Sequence, residues 1–155
     1  MSFRLVAAAA VLMGAMTGPA LTQGLLIGHP ETVLDLVRNH GTGDLETDGE
    51  GDPMIVAETG GIRYVVYFYD CDDSVLCKSI QFRAAWNAPG AYSMRDMNEW
   101  NRDRRFAKAY LDDDGDPTLE MDVNLDFGVT RDNLDDTIDW WRVVLTRFRE
   151  EVIDR

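Results

Sequence analysis

The sequence is short of nearly everything from which an active site is commonly assembled. Its two histidines, His29 and His40, both lie near the N-terminus, and neither belongs to a His-x-x-Glu-His arrangement. It has no Gly-x-Ser-x-Gly elbow, no glycine-rich phosphate loop and no dinucleotide fingerprint. Catalysis needs a nucleophile with a base, a metal, or two tuned carboxylates. An acidic chain supplies accidental carboxylate pairs, but the other two arrangements are missing. The pattern points away from an enzyme, with no catalytic residue, no metal and no cofactor, and the histidines read as surface residues at the start and end of a helix.

Positive charge is scarce as well. Fifteen Lys and Arg stand against 28 Asp and Glu, a formal net charge of −13. Such a field repels phosphates and anionic head groups, which excludes nucleic acid or a membrane surface as the main partner. Long apolar runs are missing too. The longest, Leu5 to Met16, is 12 residues, short of the roughly 20 that a spanning helix needs. With Arg4 before it and Gly18, Pro19 and Ala20 after it, the run reads as a secretory signal peptide over residues 1–22, and a retained membrane anchor is the alternative. The domain then occupies 23–155, and its expected location is the periplasm or the exterior of a bacterial cell.

Cysteine is nearly absent. Cys71 and Cys77 are the only two, six residues apart around a loop, and in an oxidising compartment such a pair is a disulfide candidate. Closing so short a loop contributes about 2 kcal/mol on the chain-entropy account. The rival, a thiol or metal site, has two thiolates and no nearby histidine where a structural zinc takes four ligands.

What remains is a foldable chain, with four Trp, six Phe and five Tyr. Glu31 to His40 carries Val33, Leu34, Leu36 and Val37 ahead of Gly41, the pattern of a short amphipathic helix. The acidic "GTGDLETDGEGDP" that follows is either a mobile connection or an irregular strand. Strands are predicted at Met54–Thr59 and Ile62–Tyr69, joined by Gly60-Gly61 as a hairpin, and at Lys78–Trp86. "IRYVVYFY" is apolar on both faces, so it belongs mid-sheet, or under a helix on one side and a partner on the other. A helix starts at Ser93 with Asp96 completing a capping box, and Met94, Met97 and Trp100 form its stripe. Strands at Phe106–Leu111 and around Leu119, Met121, Val123 and Leu125 come next, the last with one face in the core and the other in water. A seam of Leu134, Ile138, Trp141, Leu145, Phe148 and Val152 marks a final helix from Thr130 to Val152. The expected class is α+β, a mostly antiparallel five-stranded sheet in the order helix, three strands, helix, two strands, helix.

Three stretches invite a functional reading. Asp112, Asp113, Asp114 and Asp116 fail the calcium-loop spacing: with Gly115 at position 6, Tyr110 falls at position 1 and Met121 at position 12. The acids read as a solvated face, and a cation or small-ligand sensor on the acidic loops is the alternative function. "DGEGDP" and "DDDGDP" each set Gly-Asp-Pro before a strand, a turn device that also hints at paired sheet halves. Arg102, Arg104 and Arg105 sit where cations meet a helix C-terminus. They are expected to pair with Asp103 and Glu99 inside the helix, or to anchor a partner's carboxylate. Tyr64, Tyr67 and Tyr69 offer rigid amphipathic contact area for a protein or peptide partner, unless they are core or dimer contacts.

"VYFYDCDD", "SIQFRAAW", "NEWNRDRRFAKAYLDDDGDPTLEMDVNL" and "GVTRDNL" resemble the YbjN family, often labelled bacterial sensory transduction regulators. The likeness runs from Leu34 to Phe148 and is most specific at Asn98, Trp100, Asn101, Arg105 and Phe106. It implies a fold similar to class I type III secretion chaperones, often dimeric, with no established catalytic residue and no cofactor. The expected export signal and paired cysteines set this chain apart from many cytoplasmic relatives. The function expected from residues and resemblance together is a non-enzymatic regulatory or peptide-binding module of the cell envelope.

Overall fold

In a computed structural model, which describes residues 24–26 and 28–155, the helical seams and the alternating strands close on one another. The expected signal segment, 1–22, lies outside the described residues. A short strand, β1 (Leu25–Leu26), leads into α1 (Pro30–Asn39). Three strands follow, β2 (Thr42–Thr47), β3 (Pro53–Thr59) and β4 (Ile62–Tyr69), and then β5 (Ser79–Ala85) and α2 (Met94–Asp103). The chain ends with β6 (Lys108–Leu111), β7 (Pro117–Asn124), the two-residue β8 (Val129–Thr130), α3 (Arg131–Phe148) and a π-helical turn over Arg149–Ile153. The class is α+β as expected.

The main sheet is antiparallel throughout and runs β2-β3-β4-β5-β7-β6, while β1 and β8 pair separately. Six strands replace the five read from the sequence, because the acidic stretch after α1 is a regular strand paired from Thr42↔Glu58 to Thr47↔Pro53. Read outward from its centre, the sheet repeats itself. On one side β4 pairs β3 and β3 pairs the edge strand β2; on the other β5 pairs β7 and β7 pairs the edge strand β6. Each edge strand follows a helix in the chain, α1 before β2 and α2 before β6. The paired halves suggested by the repeated Gly-Asp-Pro are therefore present in the fold.

One face of the sheet carries the core. Ile55, Tyr64, Val66, Phe68, Ile80, Phe82, Leu119 and Met121 are buried there under α1 and α3. Trp141 of α3 is fully covered, 5.8 Å edge-on from Tyr64 and 5.5 Å from Phe82 between ring centroids. Removing a ring so enclosed costs about 3–5 kcal/mol in systems of this kind. α2 begins as predicted: Ser93 accepts from the Asp96 amide while Asp96 accepts from the Ser93 amide at 2.8 Å, a complete capping box. α3 starts one residue after its expected first position because Thr130 is its cap, accepting from the Asn133 amide. Its helical pitch does not last to Val152 but widens over the final five residues.

Candidate functional site

The second face of the sheet has no helix on it and contains the residues that the sequence offers for binding. Strand parity decides which side chains reach it. Along β4, Ile62, Tyr64, Val66 and Phe68 point into the core, so Arg63, Val65, Tyr67 and Tyr69 point outward. Tyr64 is thereby withdrawn from any contact surface, and burial pushes its hydroxyl up to about 12. Tyr67 is half-buried and Tyr69 exposed.

Across this outer face the register sets side chains in rows. One row runs Asp44, Val56, Val65, Arg83, Glu120 and Lys108; the next runs Glu46, Met54, Tyr67, Gln81 and Asp122. The rows change character between β4 and β5. Over β3 and β4 they are apolar and aromatic: Met54, Val56, Val65 and Tyr67, all half-buried, with Tyr69 at the end. A depression beside them is lined by Met54, Tyr67, Tyr69 and the β2–β3 turn, Thr47 to Glu50.

Over β5, β7 and β6 the face is a closed polar network centred on Glu120. Its carboxylate accepts from Tyr110 Oη at 2.6 Å and sits 3.0 Å from Lys108 Nζ and 3.4 Å from Arg83 Nε. Asp122 accepts from Gln81 Nε2 at 2.7 Å, and Tyr69 Oη donates to Gln81 at 3.4 Å. The Glu120 carboxylate raises the pKa of Lys108, while burial and then the bond to Glu120 raise that of Tyr110. This corrects the expectation that the outward side of the fifth predicted strand faces water. Thr118 and Glu120 are buried, covered by the long side chains of Arg83, Lys108 and Tyr110 from the two neighbouring strands.

The two acidic turns have the same hydrogen bonds. In the first, Asp48 Oδ1 accepts from the amides of Glu50 and Asp52, both at 2.9 Å, and Gly51 takes a φ of 97°. In the second, Asp112 Oδ1 accepts from Asp114 at 3.2 Å and Asp116 at 3.0 Å, and Gly115 takes a φ of 82°. Glycine adopts such values without strain, and the leading aspartate fixes the turn through its own side chain. The repeated Gly-Asp-Pro is a turn device, and each leading carboxylate is used inside its own loop. Among the described residues no three of His, Cys, Asp and Glu converge as metal ligands.

The three arginines go to three different places. Arg102 pairs with the adjacent Asp103 at 2.9 Å, and Glu99 is taken by Arg95 one turn earlier. Arg104 does not pair within its helix; it binds Glu151 of the π turn and lies 5.4 Å over the Trp100 ring. Arg105 lies 5.0 Å over the ring of Phe106, which stacks on Trp140. His29 is the exposed N-cap of α1, whereas His40 is mostly covered and stands between Asp135 at 3.1 Å and Asp139 at 3.6 Å, tying α1 to α3. Cys71 and Cys77 form a disulfide, and the Cys77 amide donates to the Gly28 carbonyl at 3.0 Å, so the loop also holds the segment that enters α1.

Sequence reasoning missed Asn101 as a contact. Its side chain donates to the Ala109 carbonyl at 2.8 Å and accepts from the Ala109 amide at 2.7 Å, filling the outer edge of β6 as a paired strand would. The signal for it was only its place in "NEWN", where Trp100 faces the core beside it.

No described helix is long and apolar enough to cross a membrane. Among models of protein families, residues 29–154 match the one described as "YbjN: Putative bacterial sensory transduction regulator". A search of curated proteins found no match.

Proposed function

Because the chain belongs to the YbjN family, we propose that it regulates by contact: an exported, non-catalytic envelope module that captures a protein or peptide on the outer face of β3 and β4. The observation that carries this reading is the split of that face. Met54, Val56, Val65 and Tyr67 form a contiguous half-buried apolar row ending at exposed Tyr69, while the polar side chains over β5, β7 and β6 already satisfy one another. Aromatic and apolar groups with no partner from their own fold are what contact surfaces are made of, and a rim of acids, Asp44, Glu46 and Glu58, surrounds them. A cation or small-ligand sensor on the acidic loops has less support, since Asp48 and Asp112 each commit an oxygen to two backbone amides.

Photo-cross-linking in intact envelopes tests the reading. A benzophenone side chain in place of Tyr67 is expected to capture a discrete partner, and Val65→Glu to abolish that capture. The same probe in place of Asp122 reports the other half of the face. Capture at 122 but not 67, or at neither, overturns the assignment, and a product of twice the chain's own mass identifies the partner as a second copy. Recovery of the chain in the cytosol with both thiols reduced overturns export.

A further inference from the structure

We infer that the elbow between α2 and β6, together with the outer side of α3, is a second docking surface, suited to an acidic peptide segment with a large apolar side chain next to a carboxylate. It lies on the helical side of the sheet, so it stands or falls independently of the β3–β4 face.

Phe106 is the first observation. Its φ is 75°, left-handed backbone that costs a bulky L-residue about 1–2 kcal/mol. Burial does not offset that cost, because the side chain remains 51% exposed. It stacks at 4.9 Å and 28° on Trp140, itself 42% exposed. Two large aromatic rings therefore face solvent side by side, one of them on strained backbone, and strain kept at a surface marks function more often than packing.

The second observation is charge. The depression beside the rings, about 220 Å³, is bordered by Arg104, Arg105 and Arg147 and by one carboxylate, Asp103. Arg104 is taken by Glu151 and Asp103 by Arg102. Arg105 and Arg147 have no acidic group within 4.0 Å among the described residues, although acids outnumber bases 28 to 15 in the chain. Unpaired guanidinium groups flanking exposed Trp and Phe combine the residue types that dominate binding energy at protein contacts, and Arg binds carboxylates bidentately.

Charge also chooses among occupants. A nucleic acid lays a row of phosphates along its binder, and a net charge of −13 opposes that row everywhere outside this patch. A peptide with one or two carboxylates needs only the local pair of arginines. A second copy docked isologously would bring guanidinium against guanidinium, since a two-fold contact matches a patch with itself.

The test uses the full chain on an array of twelve-residue peptides in which Phe, Leu or Trp is flanked by Asp or Glu, by Ser, or by Lys, with a twelve-nucleotide oligothymidine alongside. The acid-flanked set is expected to retain the protein about tenfold better than the Ser-flanked set, as one well-made ion pair provides. The double variant Arg105→Gln, Arg147→Gln should lose that preference with an unchanged melting temperature. Phe106→Gly, which relieves the left-handed strain, should bind less while melting no lower than the parent. Equal retention of the three sets, an unaltered preference in the double variant, or stronger retention by the oligonucleotide overturns the assignment.

Discussion

The two halves of the sheet repeat each other in plan and differ in what they leave unoccupied. Each has a helix, an edge strand, an acidic turn with the same hydrogen bonds, and a strand leading inward. In the second half, Asn101 fills the edge of β6 and the network around Glu120 covers the outer face. In the first half, Arg38 reaches only the Gly43 carbonyl, at 3.0 Å, and the outer face is apolar. One plan thus yields a self-sealed half and an open one. The difference lies in which side chains cross between strands, not in the backbone.

The widest expected gap between the halves is in stability. Val65, Arg83 and Glu120 share one cross-strand row. Glu120→Leu leaves two cations and a hydroxyl without their common acceptor and should cost about 2 kcal/mol, discounted because Lys108 and Arg83 remain partly solvated. Val65→Ser in the same row should cost less than about 1 kcal/mol. Urea denaturation of both variants measures this, and equal losses would remove the distinction.

A finer contrast compares the turns. Asp48→Ala breaks two bonds to amides and should cost about 1 kcal/mol. Asp112→Ala breaks the same two and also frees Arg83 Nη2, 3.3 Å from the second carboxylate oxygen, so it should cost about 2 kcal/mol. Reversal of that order in thermal melts would mean that the turns are not equivalent.

The smallest effect concerns how the helices are fastened. Arg104 and Glu151 tie α2 to the last turn of the chain, whereas Asp135 holds the end of α1 through Asn39 and His40, each at 3.1 Å. The Asn39 amide foremost, and then His40, keep the Asp135 carboxyl below its ordinary value. A depressed carboxyl contributes stability that is fully present above its unfolded value, near pH 4, and disappears as pH falls through the folded one. Asp135→Asn should therefore flatten the acid limb of the stability curve below about pH 4 and leave the neutral region nearly unchanged, as melts across that range will show.

Much of this was legible in the sequence because it is local. The seam of α3, the capping box at Ser93 and the alternation around Leu119 each lie within one element. β2 was ambiguous because it is a solvated edge. Only Gly43 is buried in it, where a side chain would meet Val37 at 3.1 Å and Leu34 at 3.2 Å, and a glycine adds nothing to an apolar pattern. β1 and β8 are two residues each, too short to show any period. β6 begins at Lys108, not Phe106, because Phe106 turns left-handed to meet Trp140, a residue 34 positions away in the sequence. The face shown by Tyr64 could not be read from a strand apolar on both sides; the helices chose it. Glu120 has the outward parity the alternation assigns, and only its neighbours bury it.

The π turn at Arg149–Ile153 has a consequence for how the chain tolerates length changes. Its Asp154 amide reaches back five residues to the Arg149 carbonyl at 2.8 Å. That spacing absorbs one residue more than an α-helix would, so removing any single residue there would restore ordinary pitch and swing everything downstream by about 100°. Glu151 would then rotate away from Arg104 and the Ile153 carbonyl from the Tyr92 hydroxyl, now 2.8 Å apart. The last five residues thus act as a vernier, setting the angle at which the tail meets α2 and, through α2, the pose of the elbow beyond it.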